Sequence, residues 1–546
     1  MMKQDILDYY DWAVIGDHPG ALLSGAIAAK LGFSVLILPV WYPDEDDKTI
    51  SRLAHLHRPS GQFVDPEFNF LLGLGAEGQS GGLLFDSLQR IGAYPLAGRH
   101  VKFGEKDLPQ VIGPEIRLEL SKTIEALHEE LNREVSSEFV KTMSITSAID
   151  SIQLPAESFW KSFPRESGFV EPGSEKRKVI PLSADEHYWV SLVKAIQKRR
   201  GIGREWGNLN ADTGTWRSSE AGTSAVDELM SAIWYSVSQI DEEAPKLVRL
   251  LSLLGVIRTA GSFKGGISAY RRFLIDLAHQ NGAAVHNRRD CQRLFVEDGQ
   301  IIGIQVAGRS SMIGVSGAVL GCSLDHASPL VWNSGKKRGS MKKPPLPYGW
   351  KFTLSMTVHK EGIPSGVASK VIWKEKGAPA IEIEVADPRD YDRDGNEHRY
   401  IFVRTWLPFE DQSLDPNYQQ ILSARMFRQL KTIFPFIEYH VVRLFPDFRT
   451  GLRNNKDEFS EAYPYVSVSL IPENLRCIKG EGAGFESGVG GLYVASGESY
   501  PDLGSLGGVV AGIQAISNYL SVPGNTEDPN VWDRFWSEIK KKENAI

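Results

Sequence analysis

Apolar positions come in two periods along this chain. Trp12 to Ile15 form an unbroken apolar run that stops at Gly16, the pattern of a strand buried on both faces. From Ala21 to Leu31, small and aliphatic residues recur at helical spacing and stop at Gly32, a glycine placed to end a helix. "FSVLILP" (33–39) then supplies a second buried strand. This order predicts a βαβ unit with parallel strands, its helix starting where the turn ends.

Two later segments repeat the theme. "GSFKGGISAYRRFLIDLAHQNGAAVHNRRDCQRLFVEDGQIIGIQV" (261–306) predicts a glycine-rich turn, an amphipathic helix, a strand and a hairpin turning at Asp298-Gly299. "GAVLGC" follows as a strand ending near Cys322. "GGLYVASGESYPDLGSLGGVVAGIQAISNYL" (490–520) predicts a strand ending at Gly497-Glu498, a loop, and an apolar helix opened by Gly507-Gly508. The N-terminus of that helix suits a negatively charged or carbonyl-rich group.

Alternating runs such as "AIEIEVAD" and "RYIFVRTWLP", between Leu354 and about Phe448, predict antiparallel strands. Between 126 and 255, "DELMSAIWYSVSQI" and "APKLVRLLSLLGVI" have helical periodicity and read first as core helices. The tail "WDRFWSEIKKKENAI" predicts an amphipathic helix, read first as a docking helix and second as a membrane anchor.

A chain of 546 residues exceeds the ~100–200 of one ordinary domain, so several are expected. A formal net charge of −7 gives no reason to expect a nucleic-acid partner. Cys291, Cys322 and Cys477 are odd in number and lack a CxxC pair, which argues against a disulfide framework and against a metal site. No run approaches the ~20 apolar residues that span a bilayer, and the acidic stretch "MMKQDILDYYDW", without an apolar core, predicts no signal peptide. The expected location is the cytoplasm, with peripheral membrane contact left open. Gly497-Glu498-Ser499 does not form a nucleophile elbow and no HExxH occurs, so hydrolase chemistry is not suggested.

The chemistry of the first segment turns on its glycines. A dinucleotide-binding GxGxxG uses its first glycine for the tight turn, its second for approach of the pyrophosphate and its third for helix packing. Gly16 holds the first place, His18 the second and Ala21 the third, with Gly20 beside them. The imidazole either obstructs a pyrophosphate or donates a hydrogen bond to it. Pro39 stands where an acidic residue usually holds a ribose hydroxyl. Losing that contact removes about 1.5–3 kcal/mol, roughly one to two decades of affinity.

Three segments in this order resemble the two-domain flavoproteins typified by bacterial phytoene desaturase, within the amine oxidase-like superfamily. The match covers Gly265, Gly266, Leu277, Gly282, Val285, Asp298, Gly299, Gly303 and Ile304 in the middle of the chain. It continues at Leu492, Tyr493, Gly497, Glu498, Gly504 and Gly508, and the passage from Phe68 adds to it.

The resemblance implies an α/β fold: a discontinuous Rossmann-like FAD-binding domain (1–125, 256–335 and 481–546) with a mixed α+β substrate domain. The latter comprises a largely helical region (126–255) and an antiparallel sheet (336–480). It implies FAD lying over Gly16, His18, Gly20 and Ala21, with adenine near Val285. Gly497 and Glu498 would lie near the ribityl–pyrophosphate part, and Gly507 and Gly508 would point a helix at the flavin. An extra residue before Gly497 leaves open which of Gly497 and Glu498 holds the acidic place.

Two functions stay open. One is a FAD-dependent oxidoreductase acting on an apolar small molecule. The other is a catalytically silent homologue serving as a subunit or scaffold beside a protein partner or homologous subunit.

Overall fold

The computed structural model describes residues 9–38, 91–93, 101–102, 108–114, 116–120, 124–134, 225–238, 262–263, 266–286, 290–334, 340–343, 347–375, 379–386, 397–445, 475–479, 484–500 and 505–522, with the single residues 84, 88 and 256. Pro39, the passage 57–62, most of the passage from Phe68 and the tail from 531 lie outside them.

β1 (Tyr9–Gly16), α1 (Pro19–Lys30) and β2 (Val35–Leu38) form the expected βαβ unit, with β1 and β2 parallel from Trp12↔Val35 to Ile15↔Leu38. α1 ends because Gly32 adopts φ +90°, with Gly32 N–H donating to Ala29 O and Phe33 N–H to Ala28 O. That pair of bonds closes the helix C-terminus and turns the chain back towards the sheet. Gly25 faces Val14, where an added Cβ would lie 2.7 Å from its side chain, so helix and strand pack in close contact.

β3 (Val101–Lys102), β4 (Gln110–Ile112), β5 (Arg117–Glu119), α2 (Ile124–Glu134), α3 (Ala225–Ser238) and β6 (Ser262–Phe263) follow. α4 (Gly266–Gln280) leads into β7 (Ala284–Val285) through Gly282 at φ +94°, the same termination as α1. β8 (Cys291–Glu297) and β9 (Gln300–Val306) are joined by Asp298 (φ 49°) and Gly299 (φ 85°), the positive angles of a two-residue hairpin. β10 (Ile313–Gly321), α5 (Leu324–Ala327) and β11 (Val331–Ser334) complete this part.

The first sheet runs β11-β8-β9-β10-β1-β2-β7, and β18 (Leu492–Val494) also pairs with β10. Within it β18, β10, β1, β2 and β7 are mutually parallel neighbours, while β8 and β9 form an antiparallel arm. α1, α4 and α8 (Ser505–Ser521) cover one face and share a core containing Trp12, Val14, Leu274, Val509 and Tyr519. A parallel, helix-covered sheet with strands from distant parts of the chain is a Rossmann-like α/β arrangement.

The second sheet runs β16-β12-β15-β14-β13-β4-β5 and is antiparallel apart from β13 with β4. Its strands are β12 (Pro347–His359), β13 (Lys370–Trp373), β14 (Ile381–Ala386), β15 (His398–Pro408), β16 (Val441–Phe445) and β17 (Leu475–Lys479), the last beside β12. Residues 110–119 join this sheet through β4 and β5. Phe352, Leu354, Ile383, Ile401 and Val403 point to one face, under Met426 and Leu430 of α6 (Pro416–Ile433). α7 (Ile437–His440) leads into β16. Among the described residues no helix is long and apolar enough to cross a membrane.

Candidate functional site

Parallel strands all end at one edge, and loops leaving that edge are free to build a site. β1 reaches it at Gly16, whose φ of +110° favours glycine. A Cβ there would also lie 2.6 Å from the carbonyl of Gly321, so the last residues of β1 and β10 touch backbone to backbone.

His18 occupies the N-cap of α1 with extended angles (φ −62°, ψ 134°). Its Nδ1 accepts a hydrogen bond from the Gly20 amide at 3.2 Å, and its carbonyl accepts from Leu22 N–H at 3.1 Å. Pro19, at the first helical position, has no N–H to offer. The helix therefore spends on its own cap the Gly20 amide that it could present to an anion.

The imidazole is buried against α8. A Cβ on Gly508 would sit 2.0 Å from His18 Cε1, one on Gly20 would sit 1.8 Å from the Gly508 carbonyl, and one on Gly512 would sit 2.0 Å from the Gly20 carbonyl. Gly508 and Gly512, one turn apart, thus cradle the backbone of Gly20. Their lack of side chains brings the N-terminal turns of two helices together at one sheet edge. Each N-terminus carries about half a positive charge, so the local field favours an anion or a lone-pair donor. Gly507 has a separate reason: a Cβ there would lie 2.1 Å from the Tyr500 carbonyl, and Tyr500 Oη donates to Gln514 Oε1 at 2.6 Å. The loop after β18 is thereby folded onto α8.

Glu498 lies in the turn after β18. Its Oε2 accepts from Leu324 N–H at 2.9 Å, capping α5, and its own amide donates to Ser496 Oγ at 3.3 Å. The charges of both this carboxylate and Asp17 act on Cys322. Burial, with Asp17 and then Glu498 adding to it, pushes the Cys322 thiol up to about 12. Gly497 is half-buried in the same turn. Val285 sits on the far side of β2, opposite Ile37, and is half-buried.

The structure therefore gathers Gly16, His18, Gly20, Ala21, Gly507 and Gly508 around one contact. It ties Glu498 to the start of α5, just after β10, and places Val285 two strands from β1. Asp17, Gly321, Cys322 and Gly512 belong to this region too. Gly512 carried no motif; its four-residue spacing from Gly508 was the signal that could have marked it.

A dinucleotide laid from β18 across β10, β1 and β2 to β7 passes two helix ends of different character. The Glu498 carboxylate, an acceptor with no proton to give, suits hydroxyl donors of a polyhydroxylated group rather than a phosphate. The turn into α1 does not fit the usual diphosphate seat, because His18 already satisfies the Gly20 amide.

No family model matches the chain, and no curated protein matches it. Among solved structures, an oxidoreductase from Methanosarcina mazei is 14% identical over 93% of this chain and 100% of its own, with a TM-score of 0.48. A triple mutant of putrescine oxidase, redesigned in cofactor binding, is 11% identical over 94% and 99%, with a TM-score of 0.46. A Rab GDI from Plasmodium falciparum is 9% identical over 80% and 88%, with a TM-score of 0.44. Likeness at this level says nothing about activity.

Proposed function

We propose that this chain is a FAD-dependent oxidoreductase of the phytoene desaturase type, acting on an apolar substrate. The observation that carries the reading is the meeting of the α1 and α8 N-termini through Gly20, Gly508 and Gly512, at the end of five parallel strands and beside Glu498. A flavin there supplies hydride exchange with a saturated carbon–carbon segment. The chain's own part is to orient that group and exclude water. With the group bound, the Gly497-Glu498 turn would hold hydroxyls, the first turn of α8 would face negative or carbonyl oxygens, and Val285 would pack on the adenine end.

The bond from Gly20 to His18 favours a second reading, in which the same fold serves as a cofactor-free subunit or scaffold. One preparation separates the two. Full-length protein is purified, its bound small molecules are released and identified by mass spectrometry, and FAD is titrated against flavin fluorescence. Recovery of FAD, or saturable uptake of added FAD, supports the oxidoreductase. A colourless protein that takes up none overturns it in favour of the second reading.

A further inference from the structure

Single apolar side chains scattered over a surface are ordinary, but a concentration of them in one stretch marks a contact surface. Among the described residues, six of the ten large hydrophobics that stay exposed lie between Phe409 and Val442. Ile421 is 69% exposed, Phe436 68% and Tyr439 77%. Side chains bared to that degree stand out from the surface, since the walls of a groove would cover their flanks.

Helical spacing puts part of this set in line. Ile421, Arg425, Arg428 and Thr432 recur along the outer face of α6, opposite Met426 and Leu430 in the core. About 18 Å of helix runs from Ile421 to the end of α6. Pro435 and Phe436 then turn the chain into α7, where Tyr439 follows Phe436 by three residues.

Two cations of the stripe lack a counter-ion. Among the described residues, neither Arg425 nor Arg428 has an ion-pair or hydrogen-bond partner. The carboxylates near them are taken. Glu438 pairs with Lys431, Glu375 accepts from Gln429, and Glu397 holds Lys360 and Arg399. Arg443, next to Val442, has a partner of its own. Glu361, exposed in the turn Lys360–Gly362 against α7, sets one free carboxylate against two free guanidiniums. The whole chain carries −7, so this basic stripe is a local departure from the composition.

These features select the occupant. A second copy related by a two-fold axis would bring the same arginines against each other. A protein partner needs about 800 Å² of fitted surface, which rings protruding from a turn do not offer. A bilayer surface takes protruding apolar side chains between its headgroups and meets arginine with phosphate.

We propose that α6 and α7 dock this protein on an anionic lipid surface, with Phe436 and Tyr439 entering the headgroup layer and Arg425 and Arg428 meeting lipid phosphates. This docking requires no flavin and stands apart from the oxidoreductase reading.

The test sediments full-length protein with vesicles of phosphatidylcholine and with vesicles of an equal mixture of phosphatidylcholine and phosphatidylglycerol. Partitioning onto the mixture is expected to be stronger by about tenfold or more, and to fall as salt is raised. Arg425→Gln and Arg428→Gln each lower it about fivefold and leave partitioning onto phosphatidylcholine unchanged. Phe436→Ser with Tyr439→Ser lowers it on both. Equal partitioning of the unaltered chain onto the two vesicles overturns the proposal, as does a preference for the mixture that survives loss of both arginines. Self-association through Phe436 and Tyr439 without vesicle binding, read by sedimentation velocity, also overturns it and assigns the face to a second copy. Should a variant fail to fold, the vesicle comparison and its salt dependence on the unaltered chain decide alone.

Discussion

His18 Nδ1 accepts the Gly20 amide proton across 3.2 Å, so the residue that follows the β1 turn caps the helix the turn would otherwise leave open. One hydrogen bond decides how much of an anion site remains there. It also fixes the ring against Gly508, tying the state of α1 to that of α8.

Replacing the ring tests this directly. His18→Gly frees the Gly20 amide and is expected to tighten FAD binding about tenfold or more, since a hydrogen bond to a charged group contributes about 1.5–3 kcal/mol and a decade is about 1.4. Loss of the cap itself costs only a few tenths of a kcal/mol. Flavin fluorescence titration measures the change. Unchanged or weaker affinity shows that the imidazole is not what closes the seat.

The glycines of the helix contact should not tolerate a methyl group. Gly20→Ala drives a Cβ into the Gly508 carbonyl and is expected to destabilise the protein at the upper end of about 1–3 kcal/mol. Gly508→Ala meets the His18 ring instead, so the double variant His18→Ala with Gly508→Ala recovers part of the loss. Gly32→Ala is the contrast: nothing lies within 4 Å and only the φ of +90° is strained, for about 1–2 kcal/mol. Urea midpoints rank the three.

Breaking the buried pair should cost more than removing it. Arg404→Met removes the guanidinium that Glu384 Oε2 meets at 2.8 Å and is expected to destabilise by about 3–5 kcal/mol. Adding Glu384→Gln recovers much of that. A thermodynamic cycle of equilibrium unfolding checks it, and an additive result rules out coupling.

The thiols set an alkaline limit. Burial is the main reason that Cys291 and Cys322 are pushed up to about 12 from the ordinary 9.0; Cys322 next raises Cys291, and Asp17 then Glu498 raise Cys322. Below pH 9 both are neutral, folded or unfolded, and their contribution is fully present. Between 9 and 12 only the unfolded chain ionises, so stability falls as pH rises through that window. Cys322→Ala is expected to flatten the decline in urea midpoint with pH. An equally steep decline in the variant excludes the thiol as its source.

Local elements were legible because each is written in a short stretch of chain. The Asp298-Gly299 hairpin, the glycine stop at Gly32, and the run from Trp12 to Ile15 needed only neighbouring residues to declare themselves. The site was legible in its glycines and opaque in its side chains. The reading of His18 as obstruction or donor left out the role it takes, because acceptance from Gly20 depends on rotamer and on the backbone after Pro19. The role of Glu498 as a cap for Leu324 depends on a contact between residues 174 apart. The charged face of the second sheet was hidden for a related reason. "AIEIEVAD" announces alternation, and alternation normally means that the polar side meets water; here a second layer covers it.

The sequence by itself determined the strands, the helices and the turns between them, since backbone preference and apolar period act over a few residues. Only the tertiary structure decided which partners the polar groups of those elements would meet. A buried donor or charge must find its counterpart wherever packing places one, and packing joins residues that the chain holds far apart.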